Sequence, residues 1–121
     1  MSNLASRTKL IELESRIAAA TGQDRNLDTL VSTTLAAHEK TDGIPDYTSS
    51  VDACLALIAE ILPDWHWHIG HGPDGILPYA ALRNQNDLDD DTQLSFTASA
   101  PTVPLALLHA TVKAAIANRR R

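Results

Sequence analysis

The sequence predicts an α+β fold, a small three-stranded antiparallel sheet layered with helices in the order α-α-α-β-β-β-α. Three observations predict it. A capped amphipathic segment, residues 48–62, stops at Pro63. Strict alternation follows at once in Trp65-His66-Trp67-His68-Ile69, which is the two-residue period of a strand. A glycine loop, Gly70-His71-Gly72-Pro73-Asp74-Gly75, then turns into a second extended run. Helix and hairpin together form one α-then-β unit.

The elements on either side follow in order. The first helix is expected over residues 4–20, with Leu10, Leu13 and Ile17 on one stripe and Glu12, Glu14 and Arg16 on the other faces. Gly22 sits where a helix C-terminal glycine belongs. Asp24 is placed to cap a second helix, whose inner face is Leu27, Leu30, Val31 and Leu35 and which fades near Ala37. Residues 38–46 are polar, hold Gly43 and Pro45, and read as a linker. In the third helix Val51, Cys54, Leu55, Ile58, Ile61 and Leu62 share a face, and Thr48 or Ser49 is the expected N-cap.

In the first strand Trp65, Trp67 and Ile69 are expected to face the core and His66 and His68 the solvent. Two indoles cost more in water than two imidazoles. The second strand is expected over residues 76–83. Pro78 cannot donate to a ladder and suggests an edge or a bulge near its start. A polar, acidic loop over residues 84–91 leads to a third strand, with Leu94 and Phe96 inward. Thr102 then caps the last helix, where Pro104 is tolerated in the first turn. Leu105, Leu108, Val112, Ala115 and Ile116 line its apolar face, and Lys113 with Arg119, Arg120 and Arg121 suits the negative end of its dipole.

Composition bounds the function. The chain has 121 residues, the length of one domain with a single core. Its apolar content of 44% and charged content of 21% are those of a globular protein. No apolar run approaches the ~20 residues that span a bilayer, and the first residues lack the pattern of a signal peptide. Cys54, the one cysteine, has no partner for an internal disulfide and lies on the apolar stripe of its helix. Together these favour a cytoplasmic setting. The net charge is −5, and three of the ten basic residues are the terminal arginines. Such an acidic body disfavours nucleic acid as a partner.

Three patterns invite chemistry. His66, His68 and His71 form H-x-H-x-x-H, and the first two share one side of a strand, which is half of a zinc or iron site. Asp64, His71 or Asp74 would have to complete it. Solvated imidazoles on the outer face explain the same pattern, so no metal ligand is assigned. Gly70, Gly72 and Gly75 match G-x-G-x-x-G, but that fingerprint needs a helix to follow and Ile76-Leu77-Pro78-Tyr79 is strand-like. Asp87, Asp89 and Asp91 resemble the start of a calcium loop, but Thr92 and Ala98 stand where its glycine and its bidentate glutamate belong. Ser95 lies in no nucleophile elbow, and Cys54 has no nearby histidine. No catalytic residue and no cofactor are assigned, and the chain is expected not to be an enzyme.

The segments Pro45-Asp46-Tyr47-Thr48-Ser49-Ser50-Val51-Asp52-Ala53, Leu62-Pro63-Asp64-Trp65-His66-Trp67 and Pro101-Thr102-Val103-Pro104-Leu105-Ala106-Leu107-Leu108-His109-Ala110 carry a resemblance. From Ile44 onward the chain resembles small phage and prophage proteins of the ABA-sandwich domain family. Residues 10–35, with Thr21-Gly22-Gln23-Asp24-Arg25-Asn26-Leu27-Asp28, are similar to a helical segment that often precedes that domain. His109 departs from the small residue or cysteine such proteins often carry. The resemblance implies a two-helix segment over residues 1–40, an ABA-sandwich-like domain over residues 44–121, helix–sheet–helix layering and a phage or prophage origin. It implies no catalytic residues.

The leading expectation is a phage accessory protein of the bacterial cytoplasm that binds a host or phage protein. It would modulate or inhibit a host system, including a defence complex with a basic nucleic-acid channel. One alternative is a metal-binding module or enzyme built on His66, His68 and His71. Another is a structural or assembly protein of a phage particle, self-associating through the N-terminal helices.

Overall fold

The computed structural model describes residues 7–35, 43–63, 65–71, 78–84 and 95–119. Among these residues four helices and three strands follow in the predicted order: α1 Arg7–Ala19, α2 Arg25–Leu35, α3 Val51–Ile61, β1 Trp65–His71, β2 Pro78–Asn84, β3 Ser95–Ser99 and α4 Val103–Arg119. The fold is α+β with one antiparallel sheet of order β1-β2-β3. No helix of the described residues is long and apolar enough to cross a membrane.

Local chemistry explains the helix starts. Asp24 Oδ1 accepts from the Leu27 N–H at 3.1 Å and caps α2. Thr102 Oγ1 accepts from the Leu105 N–H at 3.3 Å and caps α4. The cap of α3 is Ser50, in extended backbone, which accepts from the Ala53 N–H at 3.1 Å. Thr48, an expected cap, is drawn elsewhere because a buried carboxylate engages it. Its N–H and its hydroxyl both donate to Asp28 Oδ1, at 2.7 and 2.8 Å. The hydroxyl also accepts from the Asp24 N–H at 2.9 Å. Arg25 closes the clasp from outside, donating to Asp28 Oδ2 at 3.0 Å, to the Ile44 carbonyl at 3.2 Å and to Asp46. Burying a carboxylate is costly unless its lone pairs are filled, and here both oxygens have donors. The clasp ties α2 to the start of the α3 unit.

The core is centred on α4. Leu105, Ala106, Leu107, Leu108, Ala110, Val112 and Ala114 are all fully buried, so apolar residues encircle the helix instead of forming one stripe. The reason is its position. It packs on the sheet, chiefly on β2 and β3, and also on α1 and α3. Thr111, buried among these residues, satisfies its hydroxyl on the Leu107 carbonyl at 2.6 Å. Leu10, Leu13 and Ile17 of α1 are buried as expected, and His109 of α4 meets Glu14 of α1 at 3.1 Å. In α3 the inward face turns toward Cys54, Leu57, Ile58 and Leu62, with Val51, Leu55 and Ile61 half-buried. One hydrophobic cluster joins helices and sheet.

Register assigns the two faces of the sheet. Trp67 pairs with Leu82, Ile69 with Ala80, Leu82 with Phe96 and Ala80 with Ala98. These residues share the face that α4 covers. The other face carries His66, His68, Tyr79, Arg83, Thr97 and Ser99, all exposed or half-exposed. Among the described residues, helix packing is confined to the first face. Pro78 does not mark an edge: β2 is the central strand, and Pro78 is its first residue, where a missing N–H costs least.

Candidate functional site

The described surface is most distinctive at β1, an edge strand. Trp65 and Trp67 project to the same side, yet Trp65 is 9% exposed and Trp67 46%. Alternation orients both toward the core, but only a covering element buries them. Trp65 stacks on Phe96 with ring centroids 5.9 Å apart. Trp67 lies where α4, seated over β2 and β3, gives little cover. Its predicted burial is therefore corrected.

The direction of the β1 backbone groups follows from one bond. The Ala100 N–H donates to the Pro78 carbonyl at 3.2 Å, so that pair is hydrogen-bonded. Hydrogen-bonded and non-hydrogen-bonded pairs alternate along an antiparallel ladder. Ala80 with Ala98 and Leu82 with Phe96 are then the bonded pairs toward β3. The backbone groups of Tyr79, Ala81 and Arg83 point the other way, to Gly70, His68 and His66. Those of Trp67, Ile69 and His71 consequently point outward from the sheet edge, as does the Trp65 carbonyl, while the Trp65 N–H donates to the Leu62 carbonyl at 3.1 Å. At the opposite edge Thr97 also points outward, but Lys113 Nζ donates to its carbonyl at 3.1 Å.

The open face beside this edge is polar and aromatic. His68 and Tyr79 lie with ring centroids 5.8 Å apart. The Tyr79 ring covers Gly70 so closely that a Cβ there would come within 3.2 Å of it. Arg83 pairs with His66 across the strands. No Asp or Glu occurs in β1, β2 or β3. The face suits contact with a polar or anionic surface.

The histidine pattern is divided. His66 and His68 share the open face, but β1 continues through Gly70 to His71. Strand parity puts His71 on the opposite face, opposite Pro78. The three imidazoles therefore do not converge, and no group of three metal-binding side chains occurs among the described residues. Asp64, Gly72, Asp74, Gly75, Asp87, Asp89, Asp91 and Thr92 lie outside the described residues, as do Leu94, Arg120 and Arg121.

Cys54 is buried as expected. Its Sγ lies 3.1 Å from the Tyr47 carbonyl oxygen and 3.6 Å from that of Pro104. Burial, with the Asp28 charge second, pushes its thiol up to about 12. It is a protonated packing group near neutral pH, not a nucleophile. Tyr47 is also raised, by burial first and then by Glu60, Cys54 and Asp28.

Sequence reasoning missed Asp28 and the exposure of Trp67. The motif Asp24-Arg25…Asp28 followed by Asp46-Tyr47-Thr48 held a signal for the first, a carboxylate on the same face as Val31 and Leu35. Comparison with family models, with curated proteins and with solved structures found no match.

Proposed function

We propose that this chain is a non-enzymatic binding protein that engages another protein through the open face of its sheet. The observation that carries this is the face itself. His66, His68, Tyr79 and Arg83 stand on it with no helix of the described residues over them and no carboxylate among the sheet residues. Antiparallel sheets with one free face commonly offer it to solvent or to a partner. The resemblance of residues 45–53 and 101–110 to phage and prophage proteins supplies the setting: an accessory protein in the cytoplasm of a bacterial host, adjusting or inhibiting a host system.

Capture from host lysate by the wild-type chain, by Arg83→Glu and by His68→Glu tests the reading. A protein retained by the wild type and lost with both variants is the expected result. Retention unaffected by either variant, or no specific retention at any salt concentration, overturns it.

A further inference from the structure

The β1 edge, distinct from the open face, carries a second inference. We propose that β1 pairs antiparallel with β1 of a second copy of this chain, about a two-fold axis at His68, extending the sheet from three strands to six.

The register supports this. Centring on His68 uses every residue of β1, Trp65–His71. It sets Trp67 against the partner copy's Ile69, Trp65 against its His71 and His68 against its own counterpart. Trp67 and Ile69 carry outward backbone groups and form the fully bonded central pairs of the new ladder. At its ends the Trp65 N–H is already taken by the Leu62 carbonyl at 3.1 Å, which leaves the Trp65 carbonyl to accept from the partner copy's His71. His68, whose backbone groups face β2, falls at a non-hydrogen-bonded pair, as the alternation requires. Trp67, 46% exposed, gains an aliphatic cross-strand neighbour on its own face.

Charge fits a second copy. The chain's net charge is −5, so two copies repel in general. The seam adds no repulsion of its own, because β1 contains no Asp, Glu, Lys or Arg. It also lacks the lysines, prolines and bulges that guard natural edges. The β3 edge is guarded, since Lys113 occupies the Thr97 carbonyl. The stripe of α1, the other candidate seam, is buried at Leu10, Leu13 and Ile17 within the chain itself.

Two measurements on the untagged chain test the proposal. Light scattering over a concentration series is expected to show a mass rising from 13.1 kDa to twice that value. Trp67→Lys is expected to weaken the association about tenfold or more, with an unchanged circular dichroism spectrum. His68→Cys, on mild oxidation, is expected to form a disulfide-linked dimer, because a non-hydrogen-bonded pair brings the two Cβ atoms close. Thr97→Cys is expected not to, and buried Cys54 is silent. A monomer at every concentration with no His68→Cys crosslink overturns the proposal. So does a dimer that folded Trp67→Lys leaves intact. Arg83→Glu separates this proposal from the binding reading, since it is expected to lose host capture and keep the dimer.

Discussion

The α2 junction and the β1 edge treat their side chains in opposite ways. At the junction a carboxylate, Asp28, is wholly buried, and Thr48 and Arg25 fill both of its oxygens. At the edge a tryptophan, the largest apolar side chain, stays half in water. The junction shows that a polar group can be buried when every lone pair has a donor. The edge shows that correct alternation does not bury a residue without a layer above it. The first region is built to hold the chain together, and the second leaves surface for something else.

Perturbation should therefore act differently in the two regions. The largest effect is expected at high pH and belongs to the junction, through Cys54. Its thiol is raised from the ordinary 9.0 to about 12. Between those values the unfolded chain gives up the proton and the folded chain keeps it. This contribution to stability is complete below pH 9 and is lost as pH rises toward 12. Urea titrations should show wild type losing a few kcal/mol over that window, because each tenfold difference in proton affinity is worth about 1.4 kcal/mol. Cys54→Ala should lose less, although Tyr47, raised in the same sense chiefly by burial, still contributes. Equal slopes for the two proteins would break the account of a buried thiol.

Asp28→Ala comes next. It strands the buried Thr48 N–H and leaves the Thr48 hydroxyl only the longer bond to the Asp24 carbonyl, at 3.4 Å, so it should cost about 3 kcal/mol by chemical denaturation. Thr48→Val removes the hydroxyl and keeps the N–H, so about 1–2 kcal/mol is expected in the same assay. Ser50→Ala removes the cap of α3 and should cost about 1 kcal/mol.

Trp67→Ala should change monomer stability least, by about 0.5 kcal/mol or less. It should nevertheless shift the emission maximum to the blue and sharply reduce iodide quenching, since Trp65 is the shielded indole. If Trp67→Ala destabilises the monomer as much as Asp28→Ala does, the contrast between the regions fails.

Much of the fold is legible in the sequence. The stripe of α1, the Asp24 and Thr102 caps and the three strands follow from spacing and side-chain chemistry within a few residues. Gly70 misleads, because a glycine reads as the start of a loop when the Tyr79 ring fills the space above it within the sheet. A loop there would put His71 in reach of His66 and His68, whereas strand parity separates them. The open face is half legible: alternation places His66 and His68 on it, but only cross-strand register adds Tyr79 and Arg83.

By itself the sequence determined the local terms: which residues start helices, which alternate, which backbone positions lack a donor and where net charge is absent. Tertiary structure alone decided which apolar faces are covered. The placement of α4 between the sheet and the other helices encircles it with contacts and leaves Trp67 beyond its reach. It also decided that Asp28 is buried, because the donors that make this tolerable come from Thr48, twenty residues along the chain. Periodicity records which way a side chain points. Whether anything meets it depends on long-range packing, which local spacing does not encode.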